Sequence, residues 1–376
     1  MRCYLSKNCI LRQLEKPSVY DIATDDLYEL DEESFALLSR CASEGGWSVE
    51  DDEFAEYCMG EGILTTETVS ARRPLLSKSP DPSLRYLELQ ITERCNLRCA
   101  HCYIDGGVRE LAVERIGRVL REFEYLQGLR VLITGGEPLL HGRFDEINGI
   151  LPDFAMRKVL FTNGTLLKAD MVGMLNVDEV QISIDGLEAA HDSLRGPGNF
   201  RAAVEAIRLC KATGLEVSVS TMVHRKNLGD FDELEELLHE LGIKDWTVDV
   251  PCITGRLKDH TEFQMTPQVA GKYLRYGFGG GVHESPPGFA CGLHLASVSA
   301  DGRIAKCTFY SDKATGTIED GLRECWQAIS PVRLDELDCD CSNIESCRGG
   351  CRYRAELLGS SRGKDIFRCS LYDIIQ

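Results

Sequence analysis

Three closely spaced cysteines are the residues of this sequence best suited to chemistry. Cys95, Cys99 and Cys102 follow one another with the spacing CX3CX2C, within eight residues. Thiolates are the soft ligands that iron–sulfur clusters take, and three of them can fold over one corner of a four-iron cube. One iron of the cube is then left open. A zinc knuckle with its fourth ligand elsewhere is the alternative, which a CX2C pair alone would favour.

More cysteines gather toward the C-terminal end, and the chain carries 17 in total. An odd number of cysteines is a poor disulfide framework, and disulfides are rare in a reducing compartment, so metal binding or redox chemistry is the leading interpretation. Cys291, Gly302 and Cys307 read CX10GX4C. Five further cysteines follow them, at Cys339, Cys341, Cys347, Cys351 and Cys369.

The elements that must position the first cysteines follow from an alternation of apolar strands and amphipathic helical patterns. This alternation predicts an α/β fold with a parallel sheet, open or curled into a partial (β/α)6 barrel like a TIM barrel. Functional groups of such a barrel lie at the C-terminal ends of its strands. Cys95 follows the first strand, a position that argues against a structural zinc site. The predicted strands are Leu84–Ile91, Arg130–Thr134, Lys158–Thr162, Glu179–Ile184, Glu216–Met222 and Trp246–Val250.

Composition separates three other regions from the barrel, which we assign to residues 84–278. Residues 1–69 predict a winged-helix-like unit, with strands at Cys9–Leu14, Ser18–Ala23 and Leu27–Leu30 followed by two short helices. Residues 70–83 have the Pro, Ser and basic content of a linker. Residues 279–376 predict a small cysteine-rich iron–sulfur domain whose core is metal, because little of it is apolar.

Charge limits the partners of this protein. The chain has a net charge of −18, and residues 1–62 hold 15 acidic against 5 basic side chains. An acidic surface disfavours nucleic acid and leaves a peptide or protein as the partner of the N-terminal unit. No apolar stretch is long enough to span a membrane, and the N-terminus lacks the apolar core of a signal peptide. We therefore expect a cytoplasmic protein.

The segment around Cys95 resembles the radical S-adenosylmethionine superfamily, whose signature is CX3CXφC with an aromatic residue at φ. His101 stands at φ in this sequence. The resemblance implies that Cys95, Cys99 and Cys102 hold a [4Fe–4S] cluster whose open iron is chelated by the methionyl group of S-adenosylmethionine. One-electron reduction, from a donor such as flavodoxin or ferredoxin, would cleave the sulfonium to a 5′-deoxyadenosyl radical.

Later segments are similar to the cofactor-binding motifs of the same family. Thr134–Pro138 resembles the GGE motif, in which Gly135 and Gly136 let the backbone approach the cofactor and Glu137 accepts from its ammonium. Ser183 and Asp185 end the fourth strand, point to the same side, and by the resemblance bond ribose hydroxyls or the methionyl group. Arg195 is similar to the arginine that pairs the cofactor carboxylate. A surface salt bridge is the alternative for Arg195, and a plain turn explains Thr162-Asn163-Gly164.

The C-terminal cysteines resemble the SPASM extension, which reads CX9-15GX4C, then CX2CX5CX3C and a last cysteine, and holds two auxiliary [4Fe–4S] clusters. By that resemblance Cys291, Cys307 and Cys351 serve the first cluster. The second would take Cys339, Cys341, Cys347 and Cys369, although Cys339 and Cys341 stand one residue too close for CX2C.

Ser285 stands where some relatives have a further cysteine. The first auxiliary cluster is therefore expected to keep an open iron or to recruit Cys252 or Cys325. Most of the remaining cysteines read as small buried hydrophobes. Cys252 differs, because it follows the sixth strand and faces the expected radical site. It is our candidate catalytic residue, as a cluster ligand or a hydrogen-atom donor, with a structural role equally open.

These resemblances imply a peptide-modifying enzyme that binds the leader of a precursor peptide through its N-terminal unit and abstracts hydrogen from the peptide, leading to a cross-link or thioether. In sulfatase maturases an aspartate base follows the GX4C cysteine, and Thr308 in that position counts against formylglycine formation. The alternative is an enzyme acting on tetrapyrrole side chains, in which Arg256 and Lys258 could pair propionates, although a solvated loop explains both residues. A non-enzymatic electron carrier is the second alternative.

Overall fold

The computed structural model describes residues 1–49, 53–104, 106–281, 283 and 286–374; Ser285 lies outside these described residues. The strands are β1 (Arg2–Leu5), β2 (Cys9–Gln13), β3 (Pro17–Asp21), β4 (Leu27–Glu29), β5 (Trp47–Ser48), β6 (Leu64–Thr65), β7 (Tyr86–Thr92), β8 (Arg130–Gly135), β9 (Arg157–Thr162), β10 (Glu179–Ser183), β11 (Glu216–Met222), β12 (Trp246–Asp249), β13 (Leu295–Val298), β14 (Arg303–Ala305) and β15 (Gly316–Thr317).

The α-helices are α1 (Glu32–Cys41), α2 (Glu53–Gly60), α3 (Val113–Tyr125), α4 (Phe144–Ile150), α5 (Ala169–Val172), α6 (Glu188–Arg195), α7 (Asn199–Ala212), α8 (Phe231–Glu240), α9 (Pro267–Ala270), α10 (Leu322–Ala328), α11 (Ile344–Cys347), α12 (Arg352–Leu357) and α13 (Ile366–Leu371). None of these helices in the described part of the chain is long and apolar enough to cross a membrane.

The six predicted barrel strands are confirmed as β7 to β12. They pair in parallel in the order β12-β11-β10-β9-β8-β7, so that their C-terminal ends meet along one edge. Apolar side chains such as Leu87, Val131, Val180 and Val219 are fully buried between the sheet and its helices. In β8 and β10 the buried residues alternate with half-buried ones, so one face of each of these strands is the more deeply buried.

The sheet continues into the C-terminal region. β13 pairs in parallel with β7, and β14 and β15 follow in antiparallel pairing, which gives nine strands. Leu322 and Trp326 of α10 belong to the same hydrophobic core as the barrel. The expectation of a core built on metal is therefore wrong for this part of the region. Its strands have only two to four residues, too short for a periodic pattern to show.

The N-terminal unit contains two small sheets. The predicted strands are confirmed as β2, β3 and β4, which form one antiparallel sheet, while β1, β5 and β6, which the sequence reading missed, form the other. Four of the leftover cysteines are buried in the apolar core of this unit, as expected for small hydrophobes. They are Cys3, Cys9, Cys41 and Cys58.

Buried arginines form hydrogen bonds between the N-terminal unit and the barrel. Arg12 donates to the carbonyl oxygen of Gly128 (3.2 Å), and Arg157 donates to those of Ile22 and Ala23 (2.8 Å each). The predicted linker takes part as well, because Arg73 donates to the carbonyl oxygens of Cys9 (2.5 Å) and Leu5 (2.6 Å). The N-terminal unit is thus held in a defined position on the barrel.

Candidate active site

The predicted ligands of the radical cluster lie together in the loop after β7. Cys95 is exposed, Cys99 is buried and Cys102 is half-buried, and all three line one cavity of about 190 Å³. The cavity is also lined by several of the residues predicted to bind the cofactor. They are His101, Gly135, Gly136, Ser183 and Arg195.

The two glycines are required by the packing of the cluster loop. A Cβ on Gly135 would lie 2.6 Å from the carbonyl oxygen of Thr92, and one on Gly136 would lie 2.5 Å from that of Arg94. The backbone N–H of Gly136 donates to the Thr92 carbonyl and that of Glu137 to the Arg94 carbonyl (2.8 Å each). The glycine pair thus lets the end of β8 lie directly against the segment that leads to Cys95.

Glu137 is fully buried and already hydrogen bonded within the chain. Its carboxylate accepts from the Thr162 hydroxyl (2.9 Å) and from the backbone N–H groups of Asn163 (2.9 Å) and Leu139 (3.3 Å). Burial raises its pKa to about 7, although these hydrogen bonds favour the ionised form. Glu137 therefore ties the end of β8 to the end of β9, which gives the Thr162–Asn163 turn a role that turn chemistry alone does not supply.

Asp185 and Arg195, each predicted to contact the cofactor separately, bind one another. The Arg195 Nε donates to the Asp185 carboxylate, whose other oxygen accepts from the Met222 N–H (2.7 Å). Burial alone would raise the pKa of Asp185, but the charge of Arg195 holds it well below the usual range. Since the Arg195 side chain is only 11% exposed, the surface salt bridge is the wrong interpretation of this residue.

His101 carries a buried polar atom that the protein itself does not satisfy. Its Nδ1 has no hydrogen-bond partner among the residues that the structure describes. Burial lowers the pKa of His101 to about 3, so the ring is neutral at physiological pH. Buried polar atoms are nearly always hydrogen bonded. A bound molecule with polar atoms, such as an adenosine-containing cofactor, fits this cavity because it would supply the missing partner.

Arg256 is a site residue whose contacts sequence reasoning missed. It belongs to a short 3-10 turn, Gly255–Lys258, and lines the cavity. Its Nε donates to the carbonyl oxygen of Cys99 and its backbone N–H to that of Cys102, each over 3.0 Å. The solvated loop is therefore wrong for Arg256 and right for Lys258, which is exposed. No sequence signal reveals a contact between residues 157 positions apart.

The four cysteines predicted for the second auxiliary cluster lie together. Cys339, Cys341, Cys347 and Cys369 line one small cavity of about 10 Å³. The short spacing between Cys339 and Cys341 thus does not prevent both residues from lining the same cavity as Cys347 and Cys369. Across the described residues, no three His, Cys, Asp or Glu side chains converge on the position of a single metal ion.

The cysteines predicted for the first auxiliary cluster are also neighbours. The charge of Cys351 acts on Cys291, and the charges of Cys291 and Cys351 both act on Cys307. Cys252 does not line the cavity with the radical cluster ligands. Its side chain instead neighbours that of Cys351. Cys325 lies elsewhere, with its thiol 3.6 Å from the carbonyl oxygen of Thr317.

Thr308, in the C-terminal region, is hydrogen bonded to a residue of β7 and to a residue of the loop that carries Cys95, Cys99 and Cys102. Its backbone N–H donates to the carboxylate of Glu88 (3.0 Å), and its hydroxyl accepts from the Tyr103 hydroxyl (3.1 Å). Burial raises the pKa of Glu88. The position that holds an aspartate in sulfatase maturases therefore already has a carboxylate beside it, supplied by β7.

Comparison with known proteins establishes the class of this protein. The profile of the radical SAM superfamily matches residues 89–241. The chain is 30% identical to the AdoMet-dependent heme synthase of Oleidesulfovibrio alaskensis, over 77% of this chain and 87% of that protein. The chain therefore belongs to the radical SAM superfamily. It is an enzyme that uses a [4Fe–4S] cluster and S-adenosylmethionine, and the electron-carrier alternative is wrong.

Other similar proteins include a second heme synthase and a maturase. A second AdoMet-dependent heme synthase, from Nitratidesulfovibrio vulgaris, is 29% identical, but the chain spans only about half (53%) of its length. The mycofactocin maturase MftC of Mycolicibacterium smegmatis is 28% identical, over 70% of this chain and 77% of that protein. The crystal structure of Streptococcus suis SuiB bound to the precursor peptide SuiA superposes with a TM-score of 0.68 at 15% identity, covering 97% of this chain and 99% of that one. This last likeness confirms the fold.

Proposed function

We propose that this enzyme modifies a precursor peptide, whose leader binds the open edge of β4. The observation that carries the proposal is that, among the described residues, β4 pairs only with β3. An exposed strand edge is a template on which an extended peptide adds as a further strand. SuiB, whose fold this chain shares, was solved with its precursor peptide.

Among the described residues, two residues of this edge direct their backbone hydrogen-bonding groups away from β3. At one end of the β3–β4 pair, the backbone N–H of Leu30 donates to the carbonyl oxygen of Pro17 (2.8 Å). At the other end, the backbone N–H of Asp21 donates to the carbonyl oxygen of Asp26 (2.9 Å). Hydrogen-bonded pairs alternate along antiparallel strands, so Tyr28, opposite Val19, uses its backbone groups on β3. The backbone groups of Leu27 and Glu29 point outward, where a peptide strand would meet them.

The charge around this edge favours a basic leader. Glu29 lies on the edge itself, and α1 follows directly with Asp31 at its N-cap and Glu32 and Glu33 in its first turn. The whole of residues 1–62 has a net charge of −10, from 15 acidic and 5 basic side chains. Because exposed charges are screened by salt, peptide affinity should fall as ionic strength rises.

The barrel and the C-terminal cysteines supply the chemistry. When bound, the reduced cluster and S-adenosylmethionine supply a 5′-deoxyadenosyl radical that abstracts a hydrogen atom from the peptide. Cys95, Cys99 and Cys102 would hold that cluster, and His101, Ser183 and Arg195 line the cavity for the cofactor. The two C-terminal groups of cysteines would hold auxiliary [4Fe–4S] clusters, and a flavodoxin or ferredoxin would deliver the electron.

A proline on the open edge tests the peptide-binding role. Glu29→Pro removes one outward N–H group, and proline is tolerated at such a position on an edge strand. Glu29→Ala is the matched control, because it removes the same side chain and the same ion pair with Lys16. The ligand is a labelled, lysine-rich synthetic peptide, since the acidic charge of residues 1–62 favours a basic leader. We expect the proline variant to bind at least tenfold more weakly than the alanine variant by fluorescence anisotropy, a difference of about 1.4 kcal/mol.

Both variants should form 5′-deoxyadenosine at the same rate in the absence of peptide, because β4 lies outside the barrel. Equal peptide affinity of the proline and alanine variants would show that the leader does not pair with β4.

The tetrapyrrole alternative also has an observation in its favour. Arg256 presents a cationic side chain to the cavity of the radical site, where it could pair a propionate, and the relative from O. alaskensis is a heme synthase. Titration with iron-coproporphyrin III, followed by absorbance, separates the two functions. Tight binding that Arg256→Ala abolishes would favour the tetrapyrrole, whereas under the peptide proposal we expect no saturable binding.

A further inference from the structure

Cys252 is buried on the side of the barrel that faces the C-terminal cysteines. It comes three residues after the end of β12, and its side chain is 4% exposed. Its side chain neighbours that of Cys351, one of the three cysteines of the first auxiliary group, closely enough for the two thiols to interact. A cysteine from the barrel thus lies in direct contact with a cysteine of the C-terminal region.

A buried network fixes the two segments that carry these cysteines. Arg354, in α12, donates to the carbonyl oxygen of Val250 (2.6 Å) and to the carboxylate of Asp249 (2.9 Å). The same guanidinium donates to the carboxylate of Asp365, which accepts from the backbone N–H of Cys351 (2.8 Å). Because Arg354 and Asp365 are buried, this network holds the end of β12 against the start of α12.

Cys325 is the other cysteine considered as a fourth ligand, and its contacts lie away from the first auxiliary group of cysteines. The thiol of Cys325 lies 3.6 Å from the carbonyl oxygen of Thr317, and its side chain packs in the apolar core with α10. Cys325 therefore behaves as a small buried hydrophobe.

From this arrangement we propose that Cys252 is the fourth thiolate ligand of the first auxiliary cluster, beside Cys291, Cys307 and Cys351. The inference rests on the proposed function, because it takes the first auxiliary cluster to be present. A cube with four cysteine ligands has no open iron, so substrate does not bind this cluster directly. On ligation the Cys252 thiol loses its proton to solvent and forms an iron–sulfur bond, and no electron is transferred. Cys252 is then not a hydrogen-atom donor.

This ligand connects the two reactive regions through one short segment. Arg256, four residues after Cys252, binds the backbone of Cys99 and Cys102 in the radical cluster loop. A displacement of Cys252 would therefore be transmitted within five residues to the loop that holds the radical cluster. The barrel thereby fixes the position of the first auxiliary cluster relative to the radical site.

The test is made on the full chain with Cys95, Cys99 and Cys102 all replaced by Ala, which removes the radical cluster from the spectra. Anaerobic reconstitution of this parent should give about eight irons per chain, from two cubes of four. Cys252→Ala is added to the parent, with Cys252→Ser as the near-isosteric variant in case alanine impairs folding. Cys325→Ala is the matched control, since it removes another buried cysteine of the same region.

The readout is the iron content and the electron paramagnetic resonance spectrum after mild oxidation with ferricyanide. An iron held by no cysteine is released first, so the Cys252 variants should lose about one iron per chain and gain the signal of a three-iron cluster. The parent and the Cys325 variant should show neither change. The assignment is overturned if the Cys252 variants match the parent, or if the parent itself releases the iron. A parent with only about four irons would overturn the first auxiliary cluster as well.

Discussion

Arg195 and Asp185 form an ion pair within the barrel, in which Asp185 is fully buried and Arg195 is 11% exposed. Arg195 is the last residue of α6, while Asp185 follows β10 and accepts from the Met222 N–H at the end of β11. The pair thus joins a helix to two strand ends and directs the guanidinium into the cavity beside Cys99. The position of the Arg195 guanidinium in this cavity is thus set by Asp185, which does not line the cavity itself.

The first prediction follows from the burial of this pair. Asp185→Asn leaves the Arg195 charge buried without its partner, so we expect a loss of about 3 kcal/mol in the free energy of unfolding. Urea denaturation of the iron-free protein measures this loss. Glu146→Gln breaks the exposed pair with Arg143 and should cost less than about 1 kcal/mol. Similar losses in the two variants would contradict the structural importance of the buried pair.

The second prediction concerns the pH dependence of stability at Glu137. Burial raises its pKa from 4.5 to about 7 in the folded protein, so between these values the folded state binds more protons than the unfolded state. The contribution of Glu137 to stability should therefore fall as pH rises through this window, by about 3 kcal/mol, and level off above it.

Glu137→Gln should flatten this dependence. Thermal unfolding midpoints of the iron-free protein at about pH 5 and about pH 8 measure the slope. The slope is the readout, because the glutamine amide also disturbs the bond from the Asn163 N–H and lowers stability at every pH. A variant that keeps the full slope would show that Glu137 is not its source.

The sequence predicted the parts of this structure that local patterns control. The strands β7 to β12 alternate regularly with helical patterns along the chain, and Cys95, Cys99 and Cys102 lie within eight residues of one another. Contacts between distant segments left no such pattern. Nothing in the sequence indicates that Arg256 binds the backbone of Cys99, or that Thr308 meets Glu88.

The sequence also does not predict which candidate residues contact one another. Residue type alone predicts separate cofactor contacts for Asp185 and Arg195, because it shows what a side chain can bind but not which neighbour it contacts. Likewise, the position of Cys252 after a barrel strand predicts a place at the radical site, whereas its side chain neighbours Cys351. The tertiary fold decides each of these contacts.

The third prediction compares two cationic residues of one turn. Arg256→Ala removes the bond to the Cys99 carbonyl, and hydrogen bonds from charged groups contribute about 1.5–3 kcal/mol. Because this bond holds the cluster loop, we expect affinity for S-adenosylmethionine to fall about tenfold or more. Equilibrium dialysis with the reconstituted enzyme measures it. Lys258→Ala is the control and should bind as the wild type does, since Lys258 is exposed. Equal affinity of all three proteins would contradict the role of Arg256.

The last prediction explains the threonine at position 308. Its N–H binds the Glu88 carboxylate and its hydroxyl meets that of Tyr103, so an aspartate there would place a second carboxylate near Glu88. Two like charges in a partly buried site repel each other, and one of them becomes protonated. Thr308→Asp should therefore lower the thermal midpoint at neutral pH more than at about pH 5.

A double-mutant cycle isolates this repulsion. Glu88→Gln removes one of the two charges, so adding it to Thr308→Asp should recover part of the lost stability, with a coupling of about 1 kcal/mol. Thr308→Asn is the matched uncharged control and should show no coupling of this sign with Glu88→Gln. If the effects of Thr308→Asp and Glu88→Gln simply add, the two side chains do not interact, and the absence of an aspartate from this position has another cause. A measured coupling would mean that the Glu88 carboxylate of β7 lies close enough to position 308 to repel an aspartate there.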